Sequence, residues 1–192
     1  ANGKVQYKFS QKFPISKYPV TAGDSLDAPT VMYDSPERFN GQKGIHILGI
    51  DTFNDDEAPN SDSLGSIYVF RKFHSDISDP FNGCMVASYT ARPKSMKEFN
   101  EICLMLAEFY DAQMMYEHTG GAFKDFFEGK NKLHLLIDTP SLTKEISPNS
   151  KAGNTKGLRA TAGIQKHALN LSLDYCNEEL VDGRLGVTRI LD

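Results

Sequence analysis

A nearly continuous apolar run from Ile45 to Ile50, which ends on Asp51, constrains the fold of this chain more than any other feature. A run of this length without regular polar alternation predicts a strand buried on both faces. We therefore expect it to be the central strand of a domain at residues 41–192. Residues 1–40 contain four prolines and no lasting apolar period. This pattern predicts an extended arm or linker wrapped on the domain.

Further segments complete an alternating pattern of strands and helices. The apolar segments predict strands at residues 66–70, 84–89, 113–116 and 133–137. Helices are predicted at residues 96–111, after a capping box of Ser95 and Glu98, at residues 122–127, and at residues 161–180. The order β-β-β-α-β-α-β-α is typical of a ribonuclease H-like fold. We therefore expect an α/β domain with a five-stranded mixed sheet flanked by helices.

The composition excludes several classes of function. Lys plus Arg number 21 and Asp plus Glu 25, so the net charge of −4 is not that of a globally basic nucleic-acid coat. No apolar run approaches the roughly 20 residues of a membrane-spanning helix, and we expect no membrane partner. The sequence has no G-x-x-x-x-G-K-[ST] motif and no G-x-S-x-G motif, and its His and Cys residues lack zinc-site spacing.

Two acidic residues follow apolar strands at positions that the topology brings together. Right-handed crossovers place the strand at 113–116 beside the strand that ends on Asp51, so Glu117 and Asp51 meet at one sheet edge. Facing carboxylates repel each other unless a cation lies between them, and oxygen ligands alone favour Mg²⁺ or Mn²⁺. Such ions activate water for phosphodiester cleavage. Asp51 and Glu117 are thus candidate metal ligands and catalytic residues of a nuclease, with Asp62 as a possible outer contact.

Each of these acidic residues also has a simpler interpretation. Asp51 is alternatively a carboxylate in a turn at the end of a strand. Glu117 is alternatively half of a surface salt bridge to a nearby lysine.

A second candidate site is a basic stripe in an otherwise acidic chain. It comprises Lys151, Lys156, Arg159, Lys166 and His167, within a long loop and the start of the last predicted helix. Positive side chains and the free N–H groups of a helix N-terminus are what phosphate contacts require. We therefore predict DNA contacts by Lys156, Arg159 and Lys166. The alternative is a solvated lysine-rich loop.

Four segments together resemble segments of a known family in their order and spacing. They are residues 44–52 (G-I-H-I-L-G-I-D-T), residues 87–93 (A-S-Y-T-A-R-P) with the helix after them, Tyr116-Glu117, and residues 156–161 (K-G-L-R-A-T) with Gln165-Lys166. They resemble the C-terminal nuclease domain of the large terminase subunit of tailed bacteriophages, over about residues 14–192.

The resemblance implies a ribonuclease H-like endonuclease that cuts concatemeric viral DNA during genome packaging with two Mg²⁺ or Mn²⁺ ions. It implies double-stranded DNA as substrate and an upstream packaging ATPase domain in the same protein. The expected partners are the portal and the small terminase subunit, and the expected location is the host cytoplasm.

The resemblance also assigns roles to individual residues. Asp51 matches the metal ligand of the first strand, and Glu117 matches the second carboxylate. The third carboxylate of the family lies on a later helix, and its position falls beyond Asp192. We therefore expect a domain truncated before its last helix, which binds metal and cuts DNA weakly. Spacing alone offers Asp174, Asp182 or Asp192 instead.

Two other functions stay open from the sequence. One is a non-catalytic ribonuclease H-like docking module of a larger assembly, and the other is a different ribonuclease H-like nuclease such as a resolvase or transposase. The presence of a third carboxylate distinguishes the docking module from the enzyme.

Overall fold

The computed structural model describes residues 8–21, 23–39, 42–53, 63–118, 121–146, 155–180 and 183–190. These residues form an α/β domain with an open five-stranded mixed sheet flanked by helices, as predicted. The strands are β1 (Val31–Met32), β2 (His46–Asp51), β3 (Gly65–Arg71), β4 (Met85–Ala91) and β5 (Gln113–Tyr116). The helices are α1 (Met96–Phe109), α2 (Ala122–Gly129), α3 (Leu142–Ile146) and α4 (Ala162–Asn177).

The sheet has the strand order β1-β4-β3-β2-β5. Strands β2, β3 and β4 form the predicted antiparallel meander, and β5 pairs with β2 in parallel. The predicted adjacency of the two strands that precede the acidic residues is therefore confirmed. The prediction that β2 is buried on both faces is wrong. Leu48 and Ile50 face the core, but Gly49 and Asp51 are exposed on the other face, which we call the open face.

Helix α1 packs against the core face of the sheet. The Ser95 hydroxyl accepts a hydrogen bond from the N–H of Glu98 at 3.2 Å, which confirms the predicted N-cap. The Glu98 carboxylate accepts one from the N–H of Lys94 at 3.2 Å. The helix buries Phe99, Cys103 and Ala107 completely. The core continues through Tyr116 of β5 to α2, where Phe123 lies 4.6 Å from the Tyr116 ring.

The fifth strand of the sheet comes from the predicted arm, not from residues 133–137. Strand β1 pairs antiparallel with β4. Residues 133–135 form a 3-10 helix, and the run reaches the sheet through one parallel bridge between Leu136 and Met114. The predicted strand is wrong because the 3-10 turn takes up residues 133–135, which leaves only Leu136 to bridge to β5.

The described part of the arm packs onto the domain. Residues 8–30, where described, contain no helix or strand. Val20 and Ala28 are nevertheless buried, and the N–H of Arg92 donates to the Leu26 carbonyl at 2.7 Å. The second half of the arm is thus an integral layer of the fold.

Helix α4 attaches to the open face through its C-terminal end. The Tyr175 hydroxyl donates to the Gly83 carbonyl at 2.7 Å, and its ring lies 6.1 Å from that of Phe70. The helix predicted at residues 161–180 is therefore present, at Ala162–Asn177. Of its described residues only Ile164 is buried, and Leu171 is 54% exposed. No helix in the described ranges is long and apolar enough to cross a membrane.

A buried polar cluster closes the end of the sheet opposite Asp51. The Arg71 guanidinium is fully buried and donates to both Asp79 carboxylate oxygens, at 3.1 and 3.2 Å, and to Asp34 at 2.5 Å. Its Nε donates to His46 Nε2 at 3.1 Å, so we infer that His46 carries its proton on Nδ1 and donates to the Tyr110 carbonyl at 3.2 Å. Sequence reasoning did not find this cluster.

The state of His46 makes folding stability depend on pH. Burial and the positive charge of Arg71 lower the pKa of His46 from 6.5 to about 4, partly offset by the hydrogen bond to the Tyr110 carbonyl and by the charges of Asp34 and Asp79. The unfolded chain therefore binds one more proton than the folded chain between these values. We expect the contribution of His46 to the free energy of unfolding to be complete above about pH 6.5. The free energy of unfolding should then fall by roughly 2 to 3 kcal/mol as the pH drops to 4.

Urea unfolding between pH 7 and pH 4 measures this loss. His46→Gln should show a shallower dependence on pH, because the titrating group is gone. His134→Gln, which changes an exposed histidine, should keep the wild-type slope. Equal slopes in wild type and His46→Gln would contradict the assignment.

Candidate functional site

The two acidic residues lie side by side at one edge of the sheet. Ile50 of β2 pairs with Tyr116 of β5, and the N–H of Glu117 donates to the Ile50 carbonyl at 3.1 Å. Asp51 and Glu117 are the next residues on the two strands and therefore occupy neighbouring positions on the same face. Paired strands lie about 4.8 Å apart, so one cation can reach both side chains.

Asp51 is exposed at the surface, but the surrounding protein partly desolvates its carboxylate. This desolvation penalises the charged form and raises the pKa of Asp51 above its usual value. Glu117 is half-buried next to it. The two carboxylates fit the oxygen chemistry of Mg²⁺ or Mn²⁺. Within the described ranges, however, no group of three or more His, Cys, Asp or Glu side chains is arranged to hold a metal ion.

Helix α4 does not provide the missing third carboxylate through Asp174. The neighbouring Tyr175 packs on Phe70, which pairs with the strand that contains Ile47. Ile47 lies four residues from Asp51, or about 13 Å along β2. Asp174 is thus near the opposite end of the strands. The other carboxylates considered from the sequence, Asp62, Asp182 and Asp192, lie outside the described residues.

The acid pair belongs to a polar row that crosses four strands. Asp51 pairs with Ser66 of β3, and Ser66 pairs with Thr90 of β4. The hydroxyls of Ser66 and Thr90 lie 3.3 Å apart. The row runs Glu117, Asp51, Ser66, Thr90 on the open face. Ser66 and Thr90 were not predicted from the sequence. The alternation of polar and apolar residues in each strand would have identified them, but only together with the register of the strands.

A short segment at residues 155–158 extends the sheet beyond Glu117. The Leu158 N–H donates to the Tyr116 carbonyl at 2.8 Å, and the His118 N–H donates to the Leu158 carbonyl at 2.8 Å. Gly157 has a φ of +80°, and a Cβ on it would lie 2.7 Å from the Tyr116 ring. Glycine is therefore required for this close approach. Arg159, the next residue after this segment, therefore lies near the edge of the sheet where the acid pair is located.

The three predicted DNA contacts differ in their availability. Lys156 pairs with Asp138 at 2.7 Å and donates to the Leu136 carbonyl at 2.9 Å, so it stabilises the loop. Arg159 is exposed after Leu158, and Lys166 is exposed on the second turn of α4. Thr161 caps α4 by accepting from the Ile164 N–H at 3.4 Å. Lys151 of the basic stripe lies outside the described residues.

Comparisons with known proteins add nothing to these observations. No protein-family model, no curated protein and no solved structure matches the chain.

Proposed function

We propose that this chain is a metal-dependent DNA endonuclease domain with a ribonuclease H-like fold. The observation that carries the proposal is the acid pair, Asp51 and Glu117, at neighbouring positions on parallel strands. The strand order β4-β3-β2-β5, with Leu136 bridged in parallel to β5, agrees with the ribonuclease H-like pattern. The sequence resemblance favours a nuclease of the large terminase type, which acts with a packaging ATPase domain, a portal and a small terminase subunit.

The chain's own residues would do three things in this reaction. Asp51 and Glu117 would hold Mg²⁺ or Mn²⁺, which when bound supplies an activated water and neutralises charge on the leaving oxygen. The open face above the polar row of Asp51, Ser66 and Thr90 would receive the scissile phosphate. Arg159 and Lys166 would hold the flanking phosphates of duplex DNA.

The basic residues give a prediction for DNA affinity. Arg159→Gln with Lys166→Gln should weaken binding of all duplex sequences alike, because phosphate contacts carry no sequence information. The slope of log affinity against log salt should fall by about 2, one unit for each lost contact. Titrations by fluorescence anisotropy at several salt concentrations measure both quantities.

The matched control is Lys97→Gln, an exposed lysine of α1 on the other side of the sheet. It should leave affinity and slope unchanged. Lys156 is not used, because its substitution would also break the ion pair with Asp138. An unchanged salt slope in the double variant would show that the basic residues are merely solvated.

Nicking of supercoiled plasmid DNA tests the proposed activity. Nicking that requires Mg²⁺ or Mn²⁺ and stops with EDTA supports it. Nicking that persists in EDTA contradicts a role for the acid pair.

A non-catalytic docking module is the second candidate. It is favoured by Leu169 and Leu173, which lie one turn apart on α4 and are 60% and 51% exposed. Contiguous exposed apolar surface often marks a protein interface. A module of this kind would bind its partner equally well when Asp51 is changed.

A further inference from the structure

A cleft lies on the open face of the sheet, next to the acid pair. It has a volume of about 560 Å³ and is bounded by the arm at residues 14–18 on one side and by strands β1, β3 and β4 below. Three tyrosines line it, together with hydroxyl side chains. The principal lining residues are Tyr18, Tyr33, Tyr68, Ser66, Ser88 and Thr90. Its volume is in the range of small-molecule sites.

The cleft extends to within one strand of Asp51 along the polar row. Ser66 and Thr90 line the cleft, and Ser66 is the direct partner of Asp51 in the strand register. One strand spacing, about 4.8 Å, therefore separates the cleft from the carboxylates. A ligand in the cleft is therefore close enough to be part of the same molecule as a group that is bound at the acid pair.

The chemistry of the cleft fits a nucleobase better than a phosphate. Among the described residues that line it, none carries a charge. Phosphates need positive side chains, whereas bases stack on aromatic rings and hydrogen-bond to hydroxyls. Tyr68, which is 36% exposed, is the ring that rises from the open face itself.

The neighbouring strand β2 has a glycine, and so no side chain, directly opposite Tyr68. Gly49 is the direct partner of Tyr68 in the register, and a Cβ placed on Gly49 would meet no atom of the described residues within 4 Å. Glycine weakens a strand interior and often marks a place where a ligand approaches the backbone closely. The empty space beside the Tyr68 ring is therefore a second observation that points to a flat ligand here.

We propose that this cleft binds an unpaired nucleobase of the DNA strand whose backbone lies at the acid pair, with the base stacked on Tyr68. The inference rests on the proposed nuclease function and adds a substrate class to it. The preferred substrate is DNA with locally unpaired nucleotides beside the cut. Tyr18 of the arm and Tyr33 form the other wall of the base site.

Binding of a single-stranded oligonucleotide in EDTA tests this proposal without cleavage. Tyr68→Ala should weaken single-strand affinity by about tenfold, since stacking on one aromatic side chain is worth that much. Tyr68→Phe keeps the ring and should bind within about twofold of wild type. Unchanged affinity in a folded Tyr68→Ala would overturn the proposal.

Photocrosslinking with an iodouracil-substituted oligonucleotide locates the base directly. Crosslinks mapped by mass spectrometry to Tyr68, Tyr18 or Tyr33 support the cleft, and crosslinks confined to other residues reject it. Gly49→Val provides a second variant if Tyr68→Ala fails to fold. Its side chain has room and suits a strand, so folding should persist while single-strand binding falls. Single-strand binding at the wild-type level in folded Gly49→Val would count against the base site.

The outcomes separate the two proposals. Tyr68 crosslinks without metal-dependent nicking would retain the base site and reject the nuclease. Metal-dependent nicking with crosslinks only outside the cleft would retain the nuclease and reject the base site.

Discussion

Replacing Arg71 by methionine is expected to lower the free energy of unfolding by about 3 to 5 kcal/mol. Arg71 is fully buried and binds the buried carboxylate of Asp79 through Nη1, while Nη2 donates to Asp34 and Nε donates to His46. Methionine fills similar space but leaves the Asp79 charge without its cation. The stability of a typical domain is only about 5 to 15 kcal/mol, so this loss is a large share of it.

The remaining contacts of Asp79 explain why the loss should not be larger. Burial alone would raise its pKa, but hydrogen bonds from the Phe81 N–H and His74, with Arg71, hold the pKa below its usual value. The Phe81 and His74 bonds, at 3.1 and 2.9 Å, persist in the variant. Equilibrium unfolding in urea measures the change.

Arg159→Met is the matched control for this substitution. Arg159 is exposed, so the same change of side chain should alter stability by less than about 0.5 kcal/mol. A loss below about 1 kcal/mol in Arg71→Met would mean that water or a rearranged loop solvates Asp79.

Asp51→Asn is expected to abolish metal-dependent DNA cleavage while the domain stays folded. Asparagine keeps the shape and one acceptor oxygen but loses the charge that binds the cation, so no water is activated. Because the pKa of Asp51 is raised in the folded state, its negative charge destabilises the folded state relative to the unfolded chain at any pH above the unfolded pKa. Without metal, the neutral variant should therefore be as stable as wild type or slightly more stable.

Plasmid nicking and thermal melting check this prediction together. Mn²⁺ should raise the melting temperature of wild type more than that of Asp51→Asn, because a ligand of the folded state stabilises it. Asp174→Asn, on α4 near the opposite end of the strands, should behave as wild type in both assays. Nicking by Asp51→Asn at the wild-type rate would remove Asp51 from the reaction.

The sequence was sufficient to predict those elements for which the local residue pattern and the topology agree. The apolar runs of β2 to β5 and the Ser95 cap of α1 are encoded within a few residues each, so they were predicted nearly as observed. The adjacency of Asp51 and Glu117 followed from the handedness of crossovers. The same reasoning failed for residues 133–137, because an apolar run fits a 3-10 turn as well as a strand.

Contacts between distant residues were not predictable in the same way. Arg71, Asp79 and Asp34 lie in a strand, a turn and the arm, and no local spacing indicates that they meet. Likewise, Lys156 resembled a free phosphate ligand until the structure showed its pairing with Asp138. The packing of the arm, which supplies β1, also depends on surfaces that form only in the folded domain.

Direct titration with Mn²⁺, followed by electron paramagnetic resonance, tests the central role of the acid pair. Wild-type protein should bind Mn²⁺ and so reduce the signal of the free ion. Asp51→Asn and Glu117→Gln should each weaken Mn²⁺ binding strongly. Glu101→Gln, a change on the surface of α1, should have no effect. Equal Mn²⁺ binding by wild type and both acid-pair variants would contradict the assignment of a metal site to Asp51 and Glu117.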